Sequence, residues 1–236
     1  MEIKVNKLKI NNLELDIDFE KNKIHGLYGD NNLFELIMNR NSSIKLAKKK
    51  DDKIGYMIKD LYKQFIFSSI SKELFSITKK SKQKETLELV GLDESYLKRN
   101  PKTLSSSEAR KLSLALFINN FDTILLDHPT TNFDYQSKRN FISLMRKLQK
   151  EGKTILILSD DIDLLYTLSD TITIFAKEKI VNGLKNEIFK NKELDKLVTL
   201  PSTVSFSNYA LEHKKVRLGI RFDITDLIKD IYRHAS

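Results

Sequence analysis

An α/β domain built on a mainly parallel sheet flanked by helices is the fold class this sequence predicts. Between Ser107 and Phe175, short apolar runs rich in β-branched residues alternate with longer amphipathic stretches. Strands joined by crossover helices produce that pattern, and they imply a sheet covered on both faces. The first twenty residues instead alternate apolar and polar side chains with period two, the signal of a half-buried antiparallel pair. Beyond Leu200-Pro201 the pattern changes again, to a polar helical tail.

The elements follow in order. Ile3 to Ile10 and Leu13 to Phe19 pair around an Asn11-Asn12 turn, with Leu13, Leu15, Ile17 and Phe19 on one face. Ile24 to Gly29 is an apolar strand entering a turn, Leu33 to Asn39 a helix, and Ile54 to Ile58 a short strand. Ser69 to Val90 is helical with a break at Lys79 to Ser81. Ser107 to Asn119 is a helix, Thr123 to Leu126 a strand, and Tyr135 to Gln149 an amphipathic helix carrying Phe141, Ile142, Met145 and Leu148 on one side. Gly152 stops that helix. Thr154 to Leu158 is a strand, Asp161 to Leu168 a helix, and Thr171 to Phe175 the final strand. This divides the chain into residues 1–198, with a helical subdomain over about 60–120, and a C-terminal helical extension over 199–236.

At 236 residues the chain suits one α/β domain with an appendage, and a chain of this length hides roughly 70–75% of its unfolded surface. There is no cysteine, hence no disulfide framework and no thiolate metal site. No charged-then-apolar leader is evident, and no apolar run approaches ~18 residues, so a cytosolic location is expected. The formal charge of +9 has three readings. One is a plain compositional bias towards lysine and asparagine, since the lysines are spread along the chain. A second is attraction to an anionic membrane surface. Nucleic-acid binding ranks last, because no basic face with interleaved aromatics is apparent.

The most specific stretch is Leu104-Ser-Ser-Ser-Glu108, followed 23 positions after Leu104 by Asp127 at the end of Thr123-Ile-Leu-Leu-Asp127-His128-Pro129-Thr130. It resembles the signature motif (LSGGQ) and the Walker B strand (LLLLDEPT) of ATP-binding cassette (ABC) ATPases. Thr131-Asn132-Phe133-Asp134 is similar to that family's D-loop. The resemblance covers about residues 1–198. Gln64-Phe65, the run Glu85 to Leu92 ending in Val-Gly-Leu, and the tail from Leu200-Pro201 to Ile228 are further similar to the energy-coupling-factor (ECF) and cobalt-transporter branch.

Measured against that family, four nucleotide motifs are altered. In the phosphate loop, glycines expose backbone N–H groups to phosphate and a lysine reaches the β- and γ-phosphates. Gly29 and Asn31 match it, with Asp30 and Asn32 between and after them. Read without a gap, Phe34 replaces the second glycine, Glu35 the lysine and Leu36 the Ser/Thr; read with a gap, the lysine is absent. A carboxylate repels polyphosphate. Lys59 stands at the Q-loop glutamine, Asp160 (in Ser159-Asp160-Asp161) at the switch histidine, and His128 at the catalytic glutamate. A histidine can accept a proton, but without the lysine and the switch histidine it has nothing to act upon. Gly29, Asp30, Asn31, Asn32 and Asp127 therefore form a vestigial nucleotide site, and neither catalysis nor a resident metal is expected in cis.

ATP sites in this family are shared between two subunits. The resemblance implies that Ser105, Ser106, Ser107, Glu108 and Asp134 act in trans, on ATP and Mg²⁺ held by a competent partner, with the helix dipole favouring phosphate. A purely structural helix N-cap is the other reading of Ser105. The branch also implies a transmembrane component docking beside the Q-loop position, on Lys59 to Phe75, with Tyr62, Phe65, Ile66 and Phe67 as contacts or as core. The expected protein is thus a catalytically degenerate subunit of an ABC/ECF-type membrane transporter, peripheral at the inner face of the membrane and heterodimeric. A stand-alone regulatory or scaffold pseudo-ATPase is one alternative, and an ATPase retaining atypical nucleotide binding is another.

Overall fold

The structure, a computed structural model, describes residues 2–10, 13–29, 46–47, 53–176, 179–190, 194, 198–219, 221 and 223–235. Its strands are β1 (Glu2–Ile10), β2 (Leu13–Phe19), β3 (Ile24–Tyr28), β4 (Leu46–Ala47), β5 (Ile54–Met57), β6 (Thr123–Asp127), β7 (Thr154–Leu158), β8 (Thr171–Ala176) and β9 (Lys179–Leu184). The helices are α1 (Ile70–Phe75), α2 (Gln83–Leu89), α3 (Ser106–Phe117), α4 (Tyr135–Lys150), α5 (Ile162–Leu168), α6 (Lys185–Ile188), α7 (Ser202–Lys214) and α8 (Ile224–Ala235). Two compact units divide the chain, Met1–Ile24 with Asn31–Leu158, and His25–Asp30 with Ser159–Ser236.

In the first unit, β1 pairs antiparallel with β2 and with β4, in a register that sets Ile3 opposite Phe19 and shifts between Val5 and Leu8. Period-two alternation fits this pairing, since Ile17 and Phe19 are buried while Asp18 between them is exposed. A separate parallel ladder joins β5 to β6 and β6 to β7, bringing Asp127 opposite Leu158. Every residue of β6 and β7 is buried, which is why both read as unbroken apolar runs. Helix α3 packs near β5 and α4 on β7. The apolar stripe of α4, Phe141, Leu144, Met145 and Leu148, faces the core. Gly152 (φ 90°) takes the left-handed turn that ends this helix.

The break at Lys79 to Ser81 falls where α1 gives way to a 3₁₀ turn over Lys80–Lys82 before α2. The helix expected over Leu33 to Asn39 and the Asn11-Asn12 turn lie outside the described residues.

In the second unit, β3 runs parallel to β8, and β8 antiparallel to β9. The expectation that Thr171 to Phe175 is the final strand is therefore corrected, because β9 follows it. That strand is half exposed, with Lys179, Asn182 and Leu184 outward, and its hydrophobic signal is correspondingly faint. The tail forms α7 and α8. Ser202 is tied to α5 by donations from its backbone N–H and its hydroxyl to the Asp163 carboxylate, both at 2.7 Å. Buried Asp230 of α8 accepts from the Gly219 N–H at 2.9 Å and from Arg221 at 2.8 Å. No helix among the described residues is long and apolar enough to cross a membrane.

Candidate functional site

The Leu104–Glu108 turn is a capping box. Ser105 is extended and N-caps α3; its hydroxyl oxygen accepts from the Glu108 N–H at 3.3 Å, and Glu108 accepts from the Ser105 N–H at 2.8 Å. The reciprocal bonds satisfy two groups that a helix end leaves unpaired. Glu108 is fixed further by the Tyr96 hydroxyl at 2.6 Å and by Arg99 at 3.5 Å, and the Arg99 guanidinium lies 4.6 Å from the Tyr96 ring centre. The Tyr96 hydrogen bond, then the Ser105 N–H, hold the Glu108 carboxyl down at about 2. Ser105 is exposed and Ser106 and Ser107 half-buried, so the positive end of a 12-residue helix faces outward behind three serines. Leu104 is buried, and its carbonyl accepts from the Tyr62 hydroxyl at 2.8 Å.

Asp127 ends β6 with its side chain buried, and His128 leaves the strand in the left-handed region (φ 48°). His128 Nδ1 and Asp127 Oδ1 are 2.6 Å apart, so the aspartate is engaged by its own neighbour. The His128 N–H donates to the Leu158 carbonyl at 2.8 Å, and the His128 carbonyl accepts from Arg110 Nη1 at 2.8 Å and from the Thr131 hydroxyl at 3.2 Å. Asn132, also left-handed at φ 64°, donates to the Ser106 hydroxyl at 3.1 Å. Asp134 caps α4 by accepting from the Ser137 N–H at 2.6 Å, and that backbone bond lowers its pKa. Hydrogen bonds thus tie Asp127, His128 and the loop after them to α3, through Arg110 and Ser106, while Asp134 bonds only the start of its own helix among the described residues.

Arg110 and Tyr96 are the residues sequence reasoning missed. A charged residue on an amphipathic helix reads as solvent-facing, yet Arg110 is only 6% exposed. Burial lowers its pKa while the Asp127 charge raises it. At the Q-loop position Lys59 is exposed, whereas Gln64 accepts from the Ser113 hydroxyl at 2.9 Å and donates to the Tyr56 carbonyl at 3.0 Å, bracing α3 against the end of β5. Among the aromatic and aliphatic candidates Phe65 is core, Ile66 is 81% exposed, and Tyr62 and Phe67 are partly exposed; Phe75 at the end of α1 is 69% exposed.

In the second unit Gly29 follows β3 at φ 126°, and a Cβ there would collide with the Phe175 carbonyl and lie 2.8 Å from Phe175 Cβ. Its glycine is thus required by the packing of its own unit. Asp160 is exposed; next to it Asp161 N-caps α5, accepting from the Leu164 N–H at 3.0 Å, and the Ser159 hydroxyl accepts from the Asp161 N–H. Asp30, Asn31 and Asn32 lie outside the described residues. Taken unit by unit, Asp127 of the first is already engaged by His128, and the second presents the exposed Asp160 carboxylate at the switch-histidine position. A carboxylate in that place repels polyphosphate. Among the described residues no group of three or more His, Asp or Glu side chains could hold a metal ion.

The architecture defines the class: this is the fold of an ABC ATPase. It matches cbiO1 of Clostridium perfringens, part of the ABC transporter complex cbiONQ, at TM-score 0.65 over 90% of this chain and 96% of that one, with 17% identity. It also matches the dimeric structure of MJ0796, a bacterial ABC transporter cassette, at TM-score 0.59 over 77% and 98%, with 16% identity. In sequence the chain is similar to energy-coupling factor transporter ATP-binding proteins. It is 29% identical to EcfA3 of Oenococcus oeni over 210 residues, covering 82% of this chain and 72% of that protein. It is 31% identical to EcfA2 of Spiroplasma kunkelii over 160 residues, covering 65% and 52%, and 33% identical to EcfA2 of Mycoplasma capricolum over 138 residues, covering 57% and 48%. The chain spans about half the length of these last two relatives. No protein-family model matches it.

Proposed function

We propose that this chain is the ABC subunit of an ECF-type membrane transporter in which its own nucleotide site no longer hydrolyses ATP. It pairs with a competent ATPase and presents Ser105–Glu108 and Asp134 to ATP held by that partner. The observation that carries this reading is a contrast within one region. The turn at the start of α3 is fully built and faces outward, whereas the position after Asp127 holds a histidine bonded to that aspartate. The relatives' description as energy-coupling factor transporter ATP-binding proteins supports the transporter setting.

ATP bound by the partner would supply the phosphates and Mg²⁺. This chain's residues bind and orient: the N–H groups of the first turn of α3 face the anion, Ser105 offers its hydroxyl proton while its oxygen caps the helix, and Asp134 sets the start of α4. In this reading residues 1–198 are the ATPase-like part and 199–236 an extension. The exposed Ile66 and Phe67 with Tyr62 supply an apolar surface for a transmembrane component, and the chain works at the inner face of the membrane.

Calorimetry with Mg-ATP tests the proposal, on the chain alone and then mixed with an intact ECF ATPase from the same source. The expected result is no heat alone, and hydrolysis in the mixture that falls at least tenfold with Ser105→Ala in this chain. Tight binding by the chain alone would overturn the loss of the cis site. Hydrolysis indifferent to Ser105→Ala would overturn the donation in trans.

A further inference from the structure

We propose that Arg110 is a positioning residue that mechanically links the Asp127–His128 position to the signature turn, so that the state of this chain's own site governs the turn it offers a partner. The functional half of this inference rests on the pairing proposed above; the coupling itself does not.

Arg110 lies in the second turn of α3, the helix whose first turn carries Ser106, Ser107 and Glu108. Its guanidinium is almost wholly buried and donates from Nη1 to the His128 carbonyl at 2.8 Å. A guanidinium stays charged and is rigidly planar, so it fixes both distance and orientation at the group it bonds. The Nε–H meets no protein acceptor among the described residues. Burying this charge is costly, and it is offset by the Asp127 charge and by the bond to the His128 carbonyl. The bond supports the left-handed backbone of His128 (φ 48°), which histidine adopts more readily than most non-glycine residues but which is still uncommon.

The loop that follows reports the same link. Thr131 donates to the same His128 carbonyl, Asn132 to Ser106, and the Lys111 ammonium lies 5.9 Å from the Phe133 ring centre. Residues 128–134 are therefore fastened to α3 at Ser106, Arg110 and Lys111. A change at His128 that moves its carbonyl must move Arg110 with it or break their bond, and Arg110 is integral to the helix that begins at the signature turn. Asn132 is a second tether, made through one exposed side-chain bond and so weaker than the buried charge-assisted one.

Amide NMR of the full chain tests the link without nucleotide or partner. His128→Asn, which keeps a residue tolerant of the left-handed region, is the perturbation, and the amide shifts of Ser106, Ser107 and Glu108 are the readout. They are expected to move in the native background and to move less than half as far when Arg110→Met is also present. Asn132→Ala should preserve most of the response. Should Arg110→Met not fold, Arg110→Gln, too short for the same bond, is read the same way. Equal responses with and without the guanidinium, or loss of the response on Asn132→Ala instead, would overturn the proposal. In the paired assay Arg110→Met should lower hydrolysis by the partner. If Ser105→Ala has no effect there while the NMR coupling persists, the pairing fails and the mechanical link stands.

Discussion

At the scale of single residues, Glu108 shows how a motif position becomes a structural fixture. Its ordinary carboxyl value of 4.5 falls to about 2 because the Tyr96 hydroxyl and the Ser105 N–H both donate to the ionised form. The folded value lies below the unfolded one, so the linked stability is fully present above about pH 4.5 and is lost as pH falls towards 2. Tyr96→Phe removes the largest contribution. Side-chain carboxyl NMR should then show Glu108 titrating closer to 4.5, and acid unfolding should begin at higher pH; an unmoved titration would show that the phenol does not control the carboxyl. Gly29 makes a second case. Its φ of 126° and the collision of any Cβ with Phe175 predict that Gly29→Ala costs about 2 kcal/mol or more in chemical denaturation. A neutral result would return Gly29 to a purely nucleotide-facing role.

At the scale of elements, three motif positions turn out to start helices. Ser105 caps α3, Asp134 caps α4 and Asp161 caps α5, each accepting from an N–H three residues on. Capping aspartates are worth about 1 kcal/mol, and for a chain of this size that is roughly 2–4 °C in Tm. Asp134→Ala should show that loss and Asp134→Asn almost none, because asparagine caps as well as aspartate. If Asp134→Asn instead abolished hydrolysis in a mixed pair at unchanged Tm, the carboxylate charge would have a role beyond the cap.

The same scale shows what the sequence made legible. The run from α3 to β8 was readable because β6 and β7 are buried on every residue and α4 has a single apolar stripe. Strand β9 was not, since a half-exposed edge with Lys179 and Asn182 carries little hydrophobic pattern. Within the site, Ser105, Asp127 and His128 were legible as motif positions. Arg110 and Tyr96 were hidden, because their roles depend on partners 18 and 12 positions away that only the fold brings near. The Tyr62 to Phe67 cluster lay between these cases: apolar content marked it, but only the fold separates buried Phe65 from exposed Ile66.

At the scale of the whole molecule, the proposed loss of hydrolysis in cis predicts how the chain responds when a single family residue is restored. Replacing His128 by glutamate returns the family's side chain to that position, yet the phosphate loop still lacks its lysine, whether Glu35 stands in that place or the loop is shortened, and Asp160 stands at the switch histidine. Losses that act on one reaction as a unit do not add, so repairing a single member of the set recovers almost nothing. The added glutamate would also set a second carboxylate beside Asp127, where like charges oppose each other. His128→Glu is therefore expected to leave Mg-ATP hydrolysis by the isolated chain at background, measured by phosphate release, because the phosphate loop, Lys59 and Asp160 all stay as they are. Turnover from His128→Glu alone would mean that the phosphates are held without the lysine, and the chain would then be an ATPase with an atypical anchor rather than a donor to its partner's site.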